Sequence, residues 1–187
     1  MVDLTLRGDF TCLERARIYA TAAHAAVQQK RKYTNEPYIV HPTEVAEIVM
    51  AVPHTTEMVM AAFLHDVVED TGVTIKDIVL EFGPTVALYV DGLTNVAKPA
   101  DGNRAKRFQM NLDHLAIQCA EVQTIKVADL ISNTSTIVAY DPKFAKVYLE
   151  EKRQVLLALT QADPTLLKRA WNILNESLAT LNQLEKA

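Results

Sequence analysis

The spacing of apolar residues constrains the fold of this chain more than any other feature of its 187 residues. Apolar side chains recur at helical intervals, as in Leu13, Ala16, Ala20 and Ala23, whereas segments that alternate between apolar and polar residues are nearly absent. Only five glycines occur, and most of them lie between the periodic segments. The pattern predicts an all-α fold.

Short-range signals predict where the helices begin and end. Thr11 with Glu14 has the sequence of a capping box, and we expect the helix after it to run to about Lys32. Later helix starts and stops are indicated by Pro42, Thr55, Thr74, Gly83 and Pro84. A polar loop is expected over residues 96–103, followed by helices near 104–117, 119–138 and 143–162.

Asp163-Pro164 interrupts the helical pattern and predicts a boundary. We expect one helical domain over residues 1–162 and a helical extension over 163–187. The extension is amphipathic, since its leucines share one face. This apolar face is expected to pack on the same domain or on a second copy of the chain, which would make a homo-oligomer.

Composition narrows the functional classes. The net charge of -4 and the pI of 5.7 argue against general nucleic-acid binding, which needs a basic surface. No apolar run reaches the roughly 18 residues of a membrane span, and the first residues lack a secretory pattern, so a cytoplasmic protein is expected. Cys12 and Cys119 have no metal-ligand spacing and are expected to be buried thiols in a reducing compartment.

The segment AAFLHDVVED, residues 61–70, places a histidine and three acids at the end of an apolar run. In one continuous helix, His65 would lie one turn before Glu69, and Asp66 one turn before Asp70. Burying a charge is costly unless it is paired or ligates a metal. The segment therefore needs a partner, unless it is only a solvated helix end.

Two other residues favour a metal as that partner. His41 precedes Pro42 at a loop-to-helix junction, and Asp129 lies in the otherwise apolar segment IKVADLISN. Two histidines and two aspartates form a mixed nitrogen and oxygen set that suits Mn, Fe or Zn. The candidate ligands are His41, His65, Asp66 and Asp129.

Four segments occur in a fixed order along the chain: QKRKYTNEPYIVHPTEVAEIV, AAFLHDVVEDTGVT, FG at 82 and 83, and IKVADLISN. Together they resemble the HD-domain metal phosphohydrolases, whose signature is a His, a His-Asp pair and a distant Asp. More narrowly, they are similar to the hydrolase half of RelA/SpoT enzymes and to the small alarmone hydrolases. The resemblance covers roughly residues 10 to 160 and implies an HD-type helical bundle.

The resemblance implies roles for the matching residues. The four candidate ligands would hold one divalent ion, usually manganese in this family, and Glu69 with Asp70 would orient or activate the attacking water. Nucleotide contacts are implied for Arg31, Lys32, Asn133, Thr136 and Ile137. His24 matches a histidine of the family's first helix, but a satisfied core histidine is the expected role.

Basic residues in and after the polar loop form a second candidate substrate contact. Lys98, Arg104, Lys106 and Arg107 are spaced to close over a pyrophosphate, although a solvated basic stretch fits the sequence equally well. The segment QQKRK likewise fits either a nucleotide contact or a basic helix end.

The implied activity is metal-dependent removal of the 3′-pyrophosphate from (p)ppGpp, giving GDP or GTP and pyrophosphate. Leu130 and Ser135 stand where many alarmone hydrolases have basic residues. The alternatives are therefore hydrolysis of (p)ppApp, NADPH or another nucleotide. A non-catalytic nucleotide sensor and a structural protein that interacts through its last helix are the other classes left open.

Overall fold

The computed structural model describes residues 4–184, and the side chains of residues 11–134 and 137–184. Over this range the regular structure is helical, with an isolated backbone bridge between Lys30 and Pro37 and a 3-10 turn at Pro99–Asp101. The all-α prediction is confirmed. The chain divides into two compact units between Asn95 and Val96.

The first unit is organised around its most apolar helix. Its helices are α1 (Leu4–Ala26), α2 (Val40–Met50), α3 (Thr56–Leu64), α4 (Val67–Asp70), α5 (Ile75–Phe82) and α6 (Pro84–Leu93). All residues of α3 from Met58 to Leu64 are buried, as expected for a helix that is apolar on every side. It packs against α1, α2 and α6, while α5 packs on α6 and α4 on α1.

The second unit is built on a long buried helix. Its helices are α7 (Arg104–Ala116), α8 (Ala120–Tyr140), α9 (Pro142–Ala158) and α10 (Pro164–Leu184). α8 packs against α9 and α10, and α9 also contacts α7 and α10. The buried face of α10 consists of Leu166, Ala170, Leu174 and Leu181, so its apolar stripe packs within this unit. Pairing of two copies through α10 stays a prediction.

Predicted helix caps in the first unit are confirmed. Thr55 accepts a hydrogen bond from the backbone N–H of Met58 and so caps α3. Thr74 and Asp77 cap α5 reciprocally, each side chain accepting from the other's backbone N–H. Gly83 ends α5 at φ 87° and ψ 170°, a conformation that favours glycine.

The predicted ends of the first helix are wrong. α1 begins at Leu4, seven residues before the expected cap at Thr11, so Thr11 lies inside the helix. It ends at Ala26 rather than near Lys32, because Gln28 adopts a left-handed conformation at φ 55°. The following residues are held by the backbone bridge from Lys30 to Pro37. The basic QQKRK segment is therefore not a helix end.

The expected burial of the cysteines is also wrong. Both Cys12, in α1, and Cys119, directly before α8, are exposed free thiols. Their positions fall on outward faces of their units, a property that their apolar sequence neighbours did not reveal. No helix among the described residues has the length and hydropathy needed to cross a membrane.

Candidate metal centre and its acidic pair

The sequence predicts one continuous helix for the histidine and acids of AAFLHDVVED, and this prediction is wrong. α3 ends at Leu64 and α4 begins at Val67, with Asp66 at φ -102° and ψ -6° between them. The backbone N–H of Asp70 still donates to the carbonyl of Asp66 at 3.0 Å. The break turns Asp66 toward the histidines, while the acidic pair stays one turn further on.

Three side chains from two helix junctions converge in the first unit. His65 donates through Nδ1 to the carbonyl of Ala62 at 2.8 Å, so its Nε2 faces the Asp66 carboxylate, 3.0 Å from Oδ2. His41, in the first turn of α2, places its Nε2 3.7 Å from the same oxygen. The structure therefore brings together His41, His65 and Asp66.

The donor set fits a divalent metal ion. One ligand atom from each of the three residues lies within 4.8 Å of the others, and both Nε2 atoms are buried. Two imidazole nitrogens and a carboxylate oxygen suit a transition metal. The hydrogen bond from His65 Nδ1 to a backbone carbonyl fixes the ring orientation, as metal-ligating histidines generally require.

Tyr38 is a site residue that the sequence analysis did not identify. Its hydroxyl donates to Oδ2 of Asp66 at 2.6 Å, and its ring lies edge-on to that of His41 with centroids 5.8 Å apart. Tyr38 thus orients the carboxylate shared by both histidines. Its place in EPYIVHP, three residues before His41, was the available signal.

The acidic pair is exposed, and each acid is held by an amide side chain. Glu69 accepts from Asn95 through both oxygens, at 2.7 Å from the backbone N–H and 2.8 Å from the side-chain amide. Asp70 accepts through Oδ2 from the Gln29 amide at 2.8 Å. Sequence reasoning missed both amides, because the contacts span 26 and 41 residues.

His24 is buried beside this site, and among the described residues one of its nitrogens has a hydrogen-bond partner. Nδ1 lies 2.7 Å from Oε1 of Gln29, whereas the buried Nε2 has no hydrogen-bond partner among the described residues. Burial lowers the pKa of His24, with the Gln29 hydrogen bond opposing it. The expected satisfied core histidine is therefore only half satisfied.

Asp129 belongs to the second unit, where α8 holds it firmly. It is 5% exposed, as expected for an acid in a buried helix. Lys126 contacts one carboxylate oxygen at 2.8 Å, and the Asn133 amide donates to the other at 2.6 Å. Asn133, predicted as a nucleotide contact, thus bonds to a candidate metal ligand. Ile137 is buried, and the side chain of Thr136 lies outside the described residues.

Arg31 and Lys32 lie in the loop that follows α1. The backbone N–H of Arg31 donates to the carbonyl of Glu36 at 2.9 Å, and Asn35 donates back to the Arg31 carbonyl at 3.0 Å. The Lys32 ammonium lies 3.0 Å from the hydroxyl of Tyr33 and over its ring. The loop therefore has a defined shape, and the nucleotide-contact role stays a prediction.

The two arginines after the polar loop bond to other residues of the second unit. Arg104 forms two hydrogen bonds to Glu151, at 2.8 and 2.7 Å, and stacks over Phe144. This pairing raises the pKa of Arg104. Arg107 donates to the Gly102 carbonyl at 2.7 Å, whereas Lys98 and Lys106 are exposed. Closure over a pyrophosphate would require Arg104 to exchange its carboxylate partner.

Comparison with known proteins gives matches over most of the chain. The model of the HD domain family matches residues 16–159. A probable guanosine-3′,5′-bis(diphosphate) 3′-pyrophosphohydrolase of Synechocystis is 33% identical over 78% of this chain and 19% of its own length. An Aquifex aeolicus protein with the same activity in its name is 30% identical over 88% of this chain and 22% of its own length. The chain thus spans about a fifth of the length of these curated relatives.

A solved structure extends the similarity to nearly the whole of another protein. The structure of a metazoan orthologue of SpoT that hydrolyses ppGpp matches with a TM-score of 0.78 and 26% identity. The match covers 88% of this chain and 94% of that one. With the His-Asp pair in place and the family model matched over most of its length, the chain belongs to the HD-domain family and is a homologue of the RelA/SpoT ppGpp hydrolases.

Proposed function

We propose that this chain is a metal-dependent hydrolase that removes the 3′-pyrophosphate of (p)ppGpp. The observation that carries the proposal is the cluster of His41, His65 and Asp66, with Glu69 and Asp70 held one turn beyond it. The similarity to a SpoT orthologue of nearly equal extent, which itself hydrolyses ppGpp, supports the choice of substrate.

The proposed ligands are the cluster of His41, His65 and Asp66, together with Asp129, and the proposed ion is Mn²⁺. Other transition metals suit the same donors. A divalent cation, when bound, supplies positive charge toward phosphoryl oxygens and makes water more acidic. Tyr38 keeps Asp66 oriented for this role through its 2.6 Å hydrogen bond.

The acidic pair supplies the proton transfer. A carboxylate of Glu69 or Asp70 takes a proton from a water molecule while the oxygen of that water forms a bond to phosphorus. The bond from phosphorus to the 3′-oxygen breaks, and that oxygen gains a proton. The products are pyrophosphate and a nucleotide with a free 3′-hydroxyl, GDP from ppGpp or GTP from pppGpp.

The proposal also assigns the substrate contacts. Arg31 and Lys32 are cationic residues of the loop before Tyr38. A guanidinium plane can stack on a purine, and an ammonium group can bind a phosphate. The other proposed substrate contacts are Asn133, Thr136, Ile137, Lys98, Arg104 and Arg107. A cytoplasmic location belongs to the same proposal, since both cysteines are free thiols.

A chromatographic assay of the manganese-loaded protein tests the proposal directly. The substrates are ppGpp, ppApp, NADPH and GTP, each incubated with wild type and with Glu69→Gln. We expect pyrophosphate and GDP from ppGpp with wild type, and a loss of turnover of about 10²- to 10⁴-fold in the variant.

Glu47→Gln is the matched control, because Glu47 is an exposed acid on α2 that plays no part in the proposed site. It should retain wild-type turnover. Orthophosphate from NADPH, or preferential cleavage of ppApp, would change the proposed substrate. Nucleotide binding without any product would overturn the catalytic proposal in favour of a sensor.

A further inference from the structure

Three side chains of the first unit form a hydrogen-bond network that ends at Asp70, one residue of the acidic pair. His24 Nδ1 lies 2.7 Å from Oε1 of Gln29, and Nε2 of Gln29 lies 2.8 Å from Oδ2 of Asp70. His24 is in the last turn of α1, Gln29 follows the left-handed residue Gln28, and Asp70 ends α4. The hydrogen-bond network therefore connects the core of the unit to an exposed acid.

The chemistry of the three groups determines which atom donates and which accepts in each hydrogen bond of the network. An ionised carboxylate only accepts, so the Gln29 amide must present its NH₂ group to Asp70. Its carbonyl oxygen then faces His24, and Nδ1 of the ring must carry the proton that is donated. If the amide were reversed, two oxygens would face each other at the Asp70 end.

Burial of His24 supports a single protonation state. The residue is 1% exposed, and its Nε2 is buried without a hydrogen-bond partner among the described residues. A proton on that nitrogen would be an unsatisfied buried donor, which costs free energy. Burial also lowers the pKa of the ring, so it is neutral at neutral pH with its one proton on Nδ1.

Asp70 has more need of such support than Glu69. Both oxygens of Glu69 accept hydrogen bonds from Asn95. Asp70 is exposed at the end of a helix of only four residues, and Gln29 is its hydrogen-bond partner among the described side chains. The bond to Oδ2 determines where the other oxygen of this exposed carboxylate points.

We propose that Gln29 is a positioning residue for Asp70, and that His24 holds the Gln29 amide in the orientation that this role needs. The proposal rests on the proposed hydrolase function, and it adds two residues to the machinery of that reaction. It predicts that loss of either residue affects turnover, because a carboxylate displaced by about 1 Å can cost roughly 10²-fold in rate.

Two matched substitutions test the role of Gln29. Gln29→Asn and Gln28→Asn both shorten a glutamine by one methylene, and asparagine tolerates the left-handed backbone at position 28. We expect Gln29→Asn to lower kcat on ppGpp about 10- to 100-fold, with KM and bound manganese unchanged. Gln28→Asn should match wild type. Equal kcat values for the two variants, or a loss of manganese from Gln29→Asn, would overturn the proposal.

A second pair separates positioning from packing at His24. His24→Asn keeps a donor close to the place of Nδ1, whereas His24→Phe keeps the ring volume and removes the donor. We expect kcat to fall in His24→Phe and to be largely retained in His24→Asn. The opposite order would show that ring packing matters and would overturn the role of His24. If His24→Phe does not fold, the comparison of Gln29→Asn with Gln28→Asn and the nitrogen spectrum of His24 test the proposal instead.

The ring nitrogens of His24 give a readout that does not depend on activity. In ¹⁵N-labelled wild type, long-range proton–nitrogen spectra should show a neutral ring protonated on Nδ1. A ring protonated on Nε2 would overturn the hydrogen-bond direction. If wild type hydrolyses none of the nucleotides, the hydrolase proposal fails. The spectrum still tests the hydrogen-bond network in that case.

Discussion

At the scale of single residues, the candidate site separates the proposed metal ligands from the two acids proposed to act on water. His65 is fixed by the Ala62 carbonyl and Asp66 by the Tyr38 hydroxyl, whereas Glu69 and Asp70 are exposed and are held by amides. Metal binding and proton transfer are therefore expected to respond to different substitutions.

The first prediction follows from this separation. His65→Ala should lose bound metal and turnover together, because it removes a buried imidazole ligand. Asp129→Ala is expected to do the same. Glu69→Gln should keep the metal and lose about 10²- to 10⁴-fold in kcat. Elemental analysis of the purified variants, beside kcat, checks this, and metal loss from Glu69→Gln would contradict it.

The second prediction concerns the stability of the fold against acid. The unfolded chain holds His24 near its ordinary pKa of about 6.5, while burial lowers the pKa in the folded state. The unfolded state therefore takes up the proton first, so this contribution is complete above pH 6.5 and is lost as the pH falls toward the lowered pKa.

His24→Asn removes this titration and keeps a hydrogen-bond donor. Between pH 7 and pH 5, the free energy of unfolding should fall more steeply for wild type than for His24→Asn. Urea unfolding of both proteins with a chelator present measures the two slopes. Parallel slopes would mean that His24 is protonated equally in the folded and unfolded states.

At the scale of helices, the junction between α5 and α6 depends on one glycine. Gly83 has φ 87° and ψ 170°, and a Cβ added there would have no atom within 4 Å. Gly83→Ala should therefore destabilise the fold through backbone strain alone, by about 1–3 kcal/mol. Gly72→Ala is the control, since its added Cβ also meets nothing and its backbone is not left-handed. Thermal unfolding compares the two, and equal midpoints would refute the prediction.

Helix ends were predictable where a cap or stop lies within a few residues of the end. Thr55, Thr74 and Gly83 are of this kind. The end of α1 was not, because Gln28 is a non-glycine residue in a left-handed conformation. The break after Leu64 was missed because Asp66 contacts Tyr38 and His41, which are far from it in sequence.

The same distinction applies to the candidate site. Four metal ligands were predicted from sequence, and the structure brings together His41, His65 and Asp66 of that set, while Asp129 stays a prediction. The amides of Gln29 and Asn95 were not predicted, since glutamine and asparagine are common on surfaces. Their role depends on contacts with residues far along the chain.

At the scale of the whole molecule, a bound metal should stabilise the folded chain. An ion that binds only the folded state adds about 2.7 kcal/mol at a concentration 100 times its Kd. Manganese should therefore raise the unfolding midpoint of wild type and leave that of His65→Ala unchanged. Calorimetry with and without chelator checks this, and an equal rise in both proteins would place the ion elsewhere.

The exposed cysteines give the chain a built-in pair of probe positions. Cys12 lies before the boundary at Asn95 and Cys119 lies after it, so each unit carries one accessible thiol. Spin labels or a donor and acceptor dye can be attached without engineering any residue. Double electron–electron resonance on the labelled protein would then give the distance between the units, with and without manganese and nucleotide.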